Sequence, residues 1–253
     1  MEPIVKFLPL ILVTLAGAIA GFINVLAGGG SLLSLPMLNF IGLDLGIANA
    51  TNRVAILCQN LSAMGLYQKR GEIRWREVWS YALPAVVGAI IGTLTAIYIP
   101  PKAFRIIAAV SISLMGLLLV AKPKMWDDPD GFPLPPAARA AALFGTGLYG
   151  GFLQAGVGFF LIWAIVGGCK KDIKEANVLK IVVVAIYTMA SLLLFASFGM
   201  VNWTAAIALA IGNVVGGNLG ARFNLKGDKK WLRWILTITV VISAGKIFFD
   251  VFR

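Results

Sequence analysis

The chain has no histidine, only two cysteines among 253 residues, and only 11 acidic side chains. Cys58 and Cys169 lie far apart in different expected elements, which excludes a disulfide framework. Without histidine a transition-metal site has too few ligands to draw on, so no metal or other cofactor is expected. An enzyme would need a nucleophile with a base, or a metal cluster, and none is expected here. Charge is scarce overall, at 13% of residues against about 25% in soluble domains.

Apolar residues fill the deficit, at 59% of the chain with a mean hydropathy of +0.88. A soluble core of this length has no room for that much apolar surface, which leaves lipid as the solvent. On a soluble protein the net charge of +11 would suggest a nucleic-acid partner. Here the basic residues cluster in short gaps between apolar stretches, as in cytoplasmic loops, and no nucleic acid is expected. Residues 1–27 carry an apolar run too long for a signal peptide, with Glu2 where positive charge belongs, and read as a retained first helix.

A helix needs about 20 residues to span about 30 Å of hydrocarbon. Eight stretches approach that length: about 7–27, 47–68, 78–99, 103–121, 138–155, 176–198, 203–221 and 234–251. Two shorter ones, about 31–43 and 159–168, each follow a break: Gly28-Gly29-Gly30 or Gly156-Val157-Gly158. Four basic loops decide the topology. They hold Lys69, Arg70, Arg74 and Arg76; then Lys122, Lys124 and Arg139; then Lys170, Lys171 and Lys174; then Arg222, Lys226, Lys229, Lys230 and Arg233. With eight spans these loops divide between the two sides. With ten they share one side, the cytoplasmic side, and both termini lie outside, in the periplasm.

The fold class that follows is an all-α polytopic membrane protein built as an inverted repeat of five plus five transmembrane segments. The second segment of each half is short and preceded by a Gly-rich break. Residues 1–121 form the first repeat, 122–137 (mostly KPKMWDDPDGFPLPP) a solvated cytoplasmic linker, and 138–253 the second repeat. Internal matches support this. Ala27-Gly28-Gly29-Gly30 pairs with Ala155-Gly156-Val157-Gly158, and Ala48-Asn49 with Ala176-Asn177, both 128 residues apart. Gly21-Phe22-Ile23-Asn24 resembles Gly151-Phe152-Leu153-Gln154 with a two-residue slip.

Interrupted helices at matching places in two halves point to a transporter's binding site. A helix that begins inside the bilayer aims free N–H groups and the positive end of its dipole at the interior, where an anion satisfies them. The helices starting near Ser31 and Phe159 would converge near the midplane. The alternative is that Gly28, Gly29, Gly30, Gly156 and Gly158 only permit close packing. Arg53 is the second pointer, because an arginine at mid-membrane costs about 2.5–3.5 kcal/mol on insertion scales. Asn49, Asn52 and Arg53 share a helix face, and Asn177 and Lys180 form the corresponding pair. The competing reading for both cations is snorkelling to an interface. All 11 acids fall in loops, at segment ends or near termini, which makes an exchangeable anion the natural counter-ion and disfavours a buried proton relay.

Asn24 and Gln154, just before the breaks, offer amide donors to oxyanion oxygens, or else join helices. Gln59 and Asn60 read as helix glue, and Asn213 and Asn218 sit in a Gly-rich helix suited to close packing. Trp75, Trp79, Trp126, Trp203, Trp231 and Trp234 mark span ends.

At these residues the sequence resembles the TauE/SafE sulfite exporter family. The segment GAIAGFINVLAGGGSLLSLP, residues 17–36, is similar to its N-terminal signature, and the shorter echo at 150–158 fits its duplicated architecture. The resemblance covers essentially the whole chain. It implies an inner-membrane carrier for sulfite or organosulfur anions such as sulfonates, with binding regions at the glycine breaks and the polar residues after them. Val157, standing where the first half has Gly29, departs from a strict repeat. The expected function is therefore secondary transport of a small oxyanion through a central site, with an anion channel or uniporter using the same residues as the alternative. The expected partners are that anion and the lipid bilayer; a homodimer is compatible with the sequence.

Overall fold

The computed structural model describes residues 2–108, 110–111, 134–169 and 171–226. Eight long elements carry the fold: α1 (Glu2–Ala27), α2 (Ser31–Phe40), α3 (Leu45–Lys69), α4 (Trp75–Tyr98), α5 (Pro136–Phe152), α6 (Val157–Cys169), α7 (Ile173–Ser197) and α8 (Trp203–Lys226). Residues 101–108 are helical as well, and no strand occurs among the described residues. The expected linker at 122–133, most of the span at 103–121, the last span at 234–251, the basic loop beyond Lys226, and Trp126, Trp231 and Trp234 lie outside the described residues.

Among the described residues, four helices contain stretches long and apolar enough to cross a membrane: Leu8–Leu26, Trp75–Tyr98, Ile173–Ser197 and Trp203–Phe223. On α8, Ile207, Ile211, Val215 and Leu219 form an exposed apolar stripe, while Gly212, Gly216 and Gly220 turn inward. Trp75, Trp79 and Trp203 stand exposed at helix starts.

Helix lengths recur at a fixed spacing along the chain. α3 and α7 each run 25 residues and α4 and α8 each run 24, every start lying 128 residues after its counterpart. The caps recur too. The Asp44 carboxylate accepts from the Gly46 amide at 3.0 Å and the Asp172 carboxylate from the Lys174 amide at 2.9 Å. Each long helix then ends in a left-handed glycine, Gly71 (φ 70°) or Gly199 (φ 67°).

Small residues bring the helices together in parallel pairs. A Cβ on Gly88 would meet the backbone of Phe144 and Leu148, and one on Gly92 that of Leu148 and Phe152, so α4 and α5 run the same way. Gly216 faces Ala18 and Phe22, and Gly220 faces Phe22 and Val25, so α8 runs parallel to α1. This register corrects the sequence match of 21–24 with 151–154: against its partner helix, Phe22 occupies the place of Leu148. Counted from the matched positions Val25 and Gly151, the left-handed glycine comes two residues later in the second half, and Leu153 and Gln154 are the additional residues. Small residues recur along membrane helices, and that let the sequence alignment slip.

Ion pairs mark the two ends of the molecule. Lys171 Nζ lies 2.7 Å from Glu77 Oε1 and Arg74 lies 3.7 Å from Glu175, so the basic loops at 69–76 and 170–174 meet. At the opposite end Asp44 pairs with Arg105, and the Asn202 amide donates to Thr51 Oγ1 at 3.1 Å.

Candidate functional site

Both expected breaks are present, and they touch. Gly28 (φ 84°) and Gly156 (φ 74°) are left-handed at equivalent places, conformations that suit glycine. A Cβ on Gly28 would collide with the backbone of Gly158, and one on Gly158 with that of Gly28. The starts of α2 and α6 therefore abut, and all residues from Gly28 to Ser31 and from Gln154 to Phe159 are buried. Several amides of the first turns are taken by the breaks themselves, those of Leu32, Leu33 and Ser34 by the Gly29 and Gly30 carbonyls and that of Phe159 by the Gly156 carbonyl, while the positive dipole ends of both helices meet at the contact. α6 begins at Val157, two residues earlier than expected.

The break in the first half is held by α3. Asn52 Nδ2 donates to Ser31 Oγ at 3.1 Å, and Ser34 Oγ donates to Asn52 Oδ1 at 2.7 Å. Asn49, one turn earlier, reaches across to the other half. Its Nδ2 donates to the Phe152 carbonyl at 2.9 Å and its Oδ1 accepts from the Gln154 amide at 3.3 Å.

Arg53 is 0% exposed and Lys180 2% exposed, so neither snorkels. Arg53 Nη1 donates to Gln154 Oε1 at 2.9 Å and Nη2 to the Gly151 carbonyl at 2.5 Å, with the guanidinium 4.8 Å from the Phe195 ring centroid. Lys180 Nζ donates to the carbonyls of Asn24 at 3.2 Å and Val25 at 2.9 Å. Each cation thus closes the C-terminal end of the broken helix in the opposite half, where orphan carbonyls concentrate negative charge. This was not legible in the sequence, because main-chain carbonyls leave no residue signature. Asn24 takes part through its carbonyl, whereas Gln154 uses its side chain, whose Nε2 also faces Tyr187 Oη at 3.3 Å and Thr188 Oγ1 at 3.4 Å.

The buried polar side chains among the described residues include two cations and no carboxylate. Five of their atoms have no partner: Arg53 Nε, Gln59 Oε1, Asn60 Nδ2, and both amide atoms of Asn177. Each such atom costs about 1–3 kcal/mol. Gln59 does not join helices as expected; its Nε2 donates to neighbouring Asn60 Oδ1 at 3.1 Å. The joining residues are Ser62 and Asn218, whose side chains bond across α3 and α8 at 3.0 Å. No group of three or more potential metal ligands occurs among the described residues.

Comparison with known proteins places the chain among membrane transporters. The family described as sulfite exporter TauE/SafE matches residues 13–247. The probable membrane transporter protein YfcA of Escherichia coli K12 is 27% identical over 92% of this chain and 87% of its own length. A probable membrane transporter protein of Haemophilus influenzae is 26% identical over 92% of each chain. YunE of Bacillus subtilis, likewise described as a probable membrane transporter protein, is 23% identical over 95% of this chain and 97% of its own. No solved structure matches the chain.

Proposed function

Because the chain belongs to the sulfite exporter TauE/SafE family, whose relatives here are described as membrane transporters, we propose that it is a secondary carrier for a small oxyanion, of the sulfite or organosulfonate class. The anion binds where the two glycine breaks meet. The observation that carries this reading is the contact of Gly28 with Gly158, which brings the starts of α2 and α6 into one buried space containing no carboxylate among the described residues. An anion satisfies the remaining amides there, and the positive dipole ends favour it over a cation. Arg53 and Lys180 add fixed positive charge. Their hydrogen bonds go to protein carbonyls and Gln154, so they act on the anion mainly through their field, with Arg53 Nε as a free donor.

The fold that serves this function is an inverted repeat of five plus five segments, residues 1–121 and 138–253, joined by a cytoplasmic linker. Supporting it are the parallel pairing of α1 with α8 and α4 with α5, and the meeting of two basic loops at one end. On the positive-inside rule that end is cytoplasmic, and both termini lie outside the inner membrane. Reconstituted into liposomes, the protein should catalyse saturable counterflow of labelled sulfite, with unlabelled sulfite or a C2 sulfonate driving it better than sulfate. Absence of anion flux from vesicles containing folded protein would refute the proposal, and unitary currents without counterflow would replace the carrier with a channel.

A further inference from the structure

The repeat relates most of the groups around Gln154 to residues on the other side of the breaks. Asn49, Tyr187 and Thr188 contact Gln154, and 128 residues away along the repeat they become Asn177, Gln59 and Asn60. No counterpart of Gln154 exists there, because the first break is two residues shorter. Those three residues are 0%, 0% and 2% exposed, and they carry four of the five unpartnered buried atoms. On one side of the contact between Gly28 and Gly158 the chain fills its own polar cradle with a glutamine. On the other side the equivalent cradle has nothing from the protein to hold.

Two contacts put this second cradle beside the end of α1. Asn177 lies one turn before Lys180, whose Nζ reaches the Asn24 and Val25 carbonyls. A Cβ on Gly217 would meet both the Gln59 side chain and Val25. The cradle thus lies toward the end of the molecule where the two basic loops meet.

Resting on the oxyanion reading above, we propose that Asn177, Gln59 and Asn60 form the subsite that reads the transported ligand, which occupies the place Gln154 takes in the other half. The unpartnered atoms are two donors, Asn177 Nδ2 and Asn60 Nδ2, and two acceptors, Asn177 Oδ1 and Gln59 Oε1. A fully deprotonated oxyanion supplies only acceptors and leaves both carbonyl oxygens unmet. The matching ligand is an oxyanion that keeps an O–H or N–H, such as a singly protonated oxyacid or a sulfonate with a donor on its carbon chain.

The test compares ethanesulfonate with 2-hydroxyethanesulfonate, which differ by one O–H donor, together with sulfite, binding to the detergent-solubilised full chain. Wild type should bind the hydroxylated probe about tenfold more tightly. Asn177→Leu and Gln59→Leu should each abolish that preference and weaken sulfite binding about tenfold; Asn177→Leu should do so without lowering the melting temperature, because both of its amide atoms lack partners, whereas Gln59→Leu also gives up the bond to Asn60. Gln154→Leu should instead lower the melting temperature, because it strips partners from Arg53. Equal binding of the two sulfonates by wild type, or unchanged sulfite binding by both leucine variants, overturns the subsite and leaves ordered water as its occupant. A fall in melting temperature in Asn177→Leu matching that of Gln154→Leu overturns it too. Failure of wild type to bind any of the three anions overturns the proposed function as well.

Discussion

Lys180 Nζ donates to the carbonyl oxygen of Val25 at 2.9 Å, fastening a helix of the second half to the broken end of a helix in the first. Arg53 returns the arrangement by donating to the Gly151 carbonyl. The two interrupted helices are thus closed by cations from opposite halves, and neither break is held by its own half alone. Lys180→Met should strip that closure while keeping the aliphatic stem. The expected loss is about 1.5–3 kcal/mol, the range for hydrogen bonds to charged groups, read as a lower unfolding midpoint in detergent.

Arg53→Gln should insert normally and reduce anion flux to the level of empty vesicles, because it removes the fixed positive charge held against Gln154, two residues before the second break. Arg53→Lys should restore a part of the flux but not all, since an ammonium lacks the planar fork that meets Gln154 and Gly151 together. Counterflow at matched protein incorporation measures both. Wild-type flux in Arg53→Gln would remove the residue from the site.

The contact between the two breaks tolerates no side chain. Gly28→Ala and Gly158→Ala each drive a methyl into the opposing backbone, at a cost of about 1–3 kcal/mol, with a further penalty at Gly28 for its left-handed backbone. Gly65 has open space around its Cβ position within α3, and Gly65→Ala should stabilise by about 0.5–1 kcal/mol. Thermal unfolding of the three variants gives the comparison.

Asp44 caps α3 and pairs with Arg105. The Arg105 hydrogen bond, aided by the Gly46 amide, holds its carboxyl below the ordinary value of 3.8. A carboxyl depressed in the folded state contributes stability above that ordinary value and loses it as pH falls through the lowered one. The pair is partly exposed, so the contribution is less than about 1 kcal/mol. Asp44→Asn should therefore trail wild type slightly at pH 6, and the gap should close as the pH drops below about 4. A gap that widens on acidification would contradict the assignment.

Single cysteines placed at Arg70 and at Lys229 should be modified by an impermeant thiol reagent from the same membrane face. The meeting of loops 69–76 and 170–174 already places two basic loops together. Labelling from opposite faces would break the ten-segment topology.

The sequence disclosed the breaks, the 128-residue spacing of corresponding helices and the polar face of α3. Each of these leaves a residue pattern: glycine clusters, paired Ala-Asn steps, and amides beside a cation at helical spacing. It did not disclose what holds Arg53 and Lys180, because, Gln154 apart, the partners are main-chain carbonyls freed only when a helix stops. Nor did it disclose the register of α1 against α5. Glycines every four residues along these helices allow several alignments, and only their packing against α8 and α4 selects one. Asn24 and Gln154 looked interchangeable for that reason. In the folded chain Asn24 offers Lys180 its carbonyl, while Gln154 extends its side chain toward Arg53, Tyr187 and Thr188.

Leu153 and Gln154 have a consequence for direction. Two halves of identical length, related by a twofold axis in the membrane plane, would present the same doorway to either compartment. Such a machine would admit its ligand at the same rate from both sides. An insertion of two residues on one side lets the rates at the two faces differ, while the gradients still set the net direction.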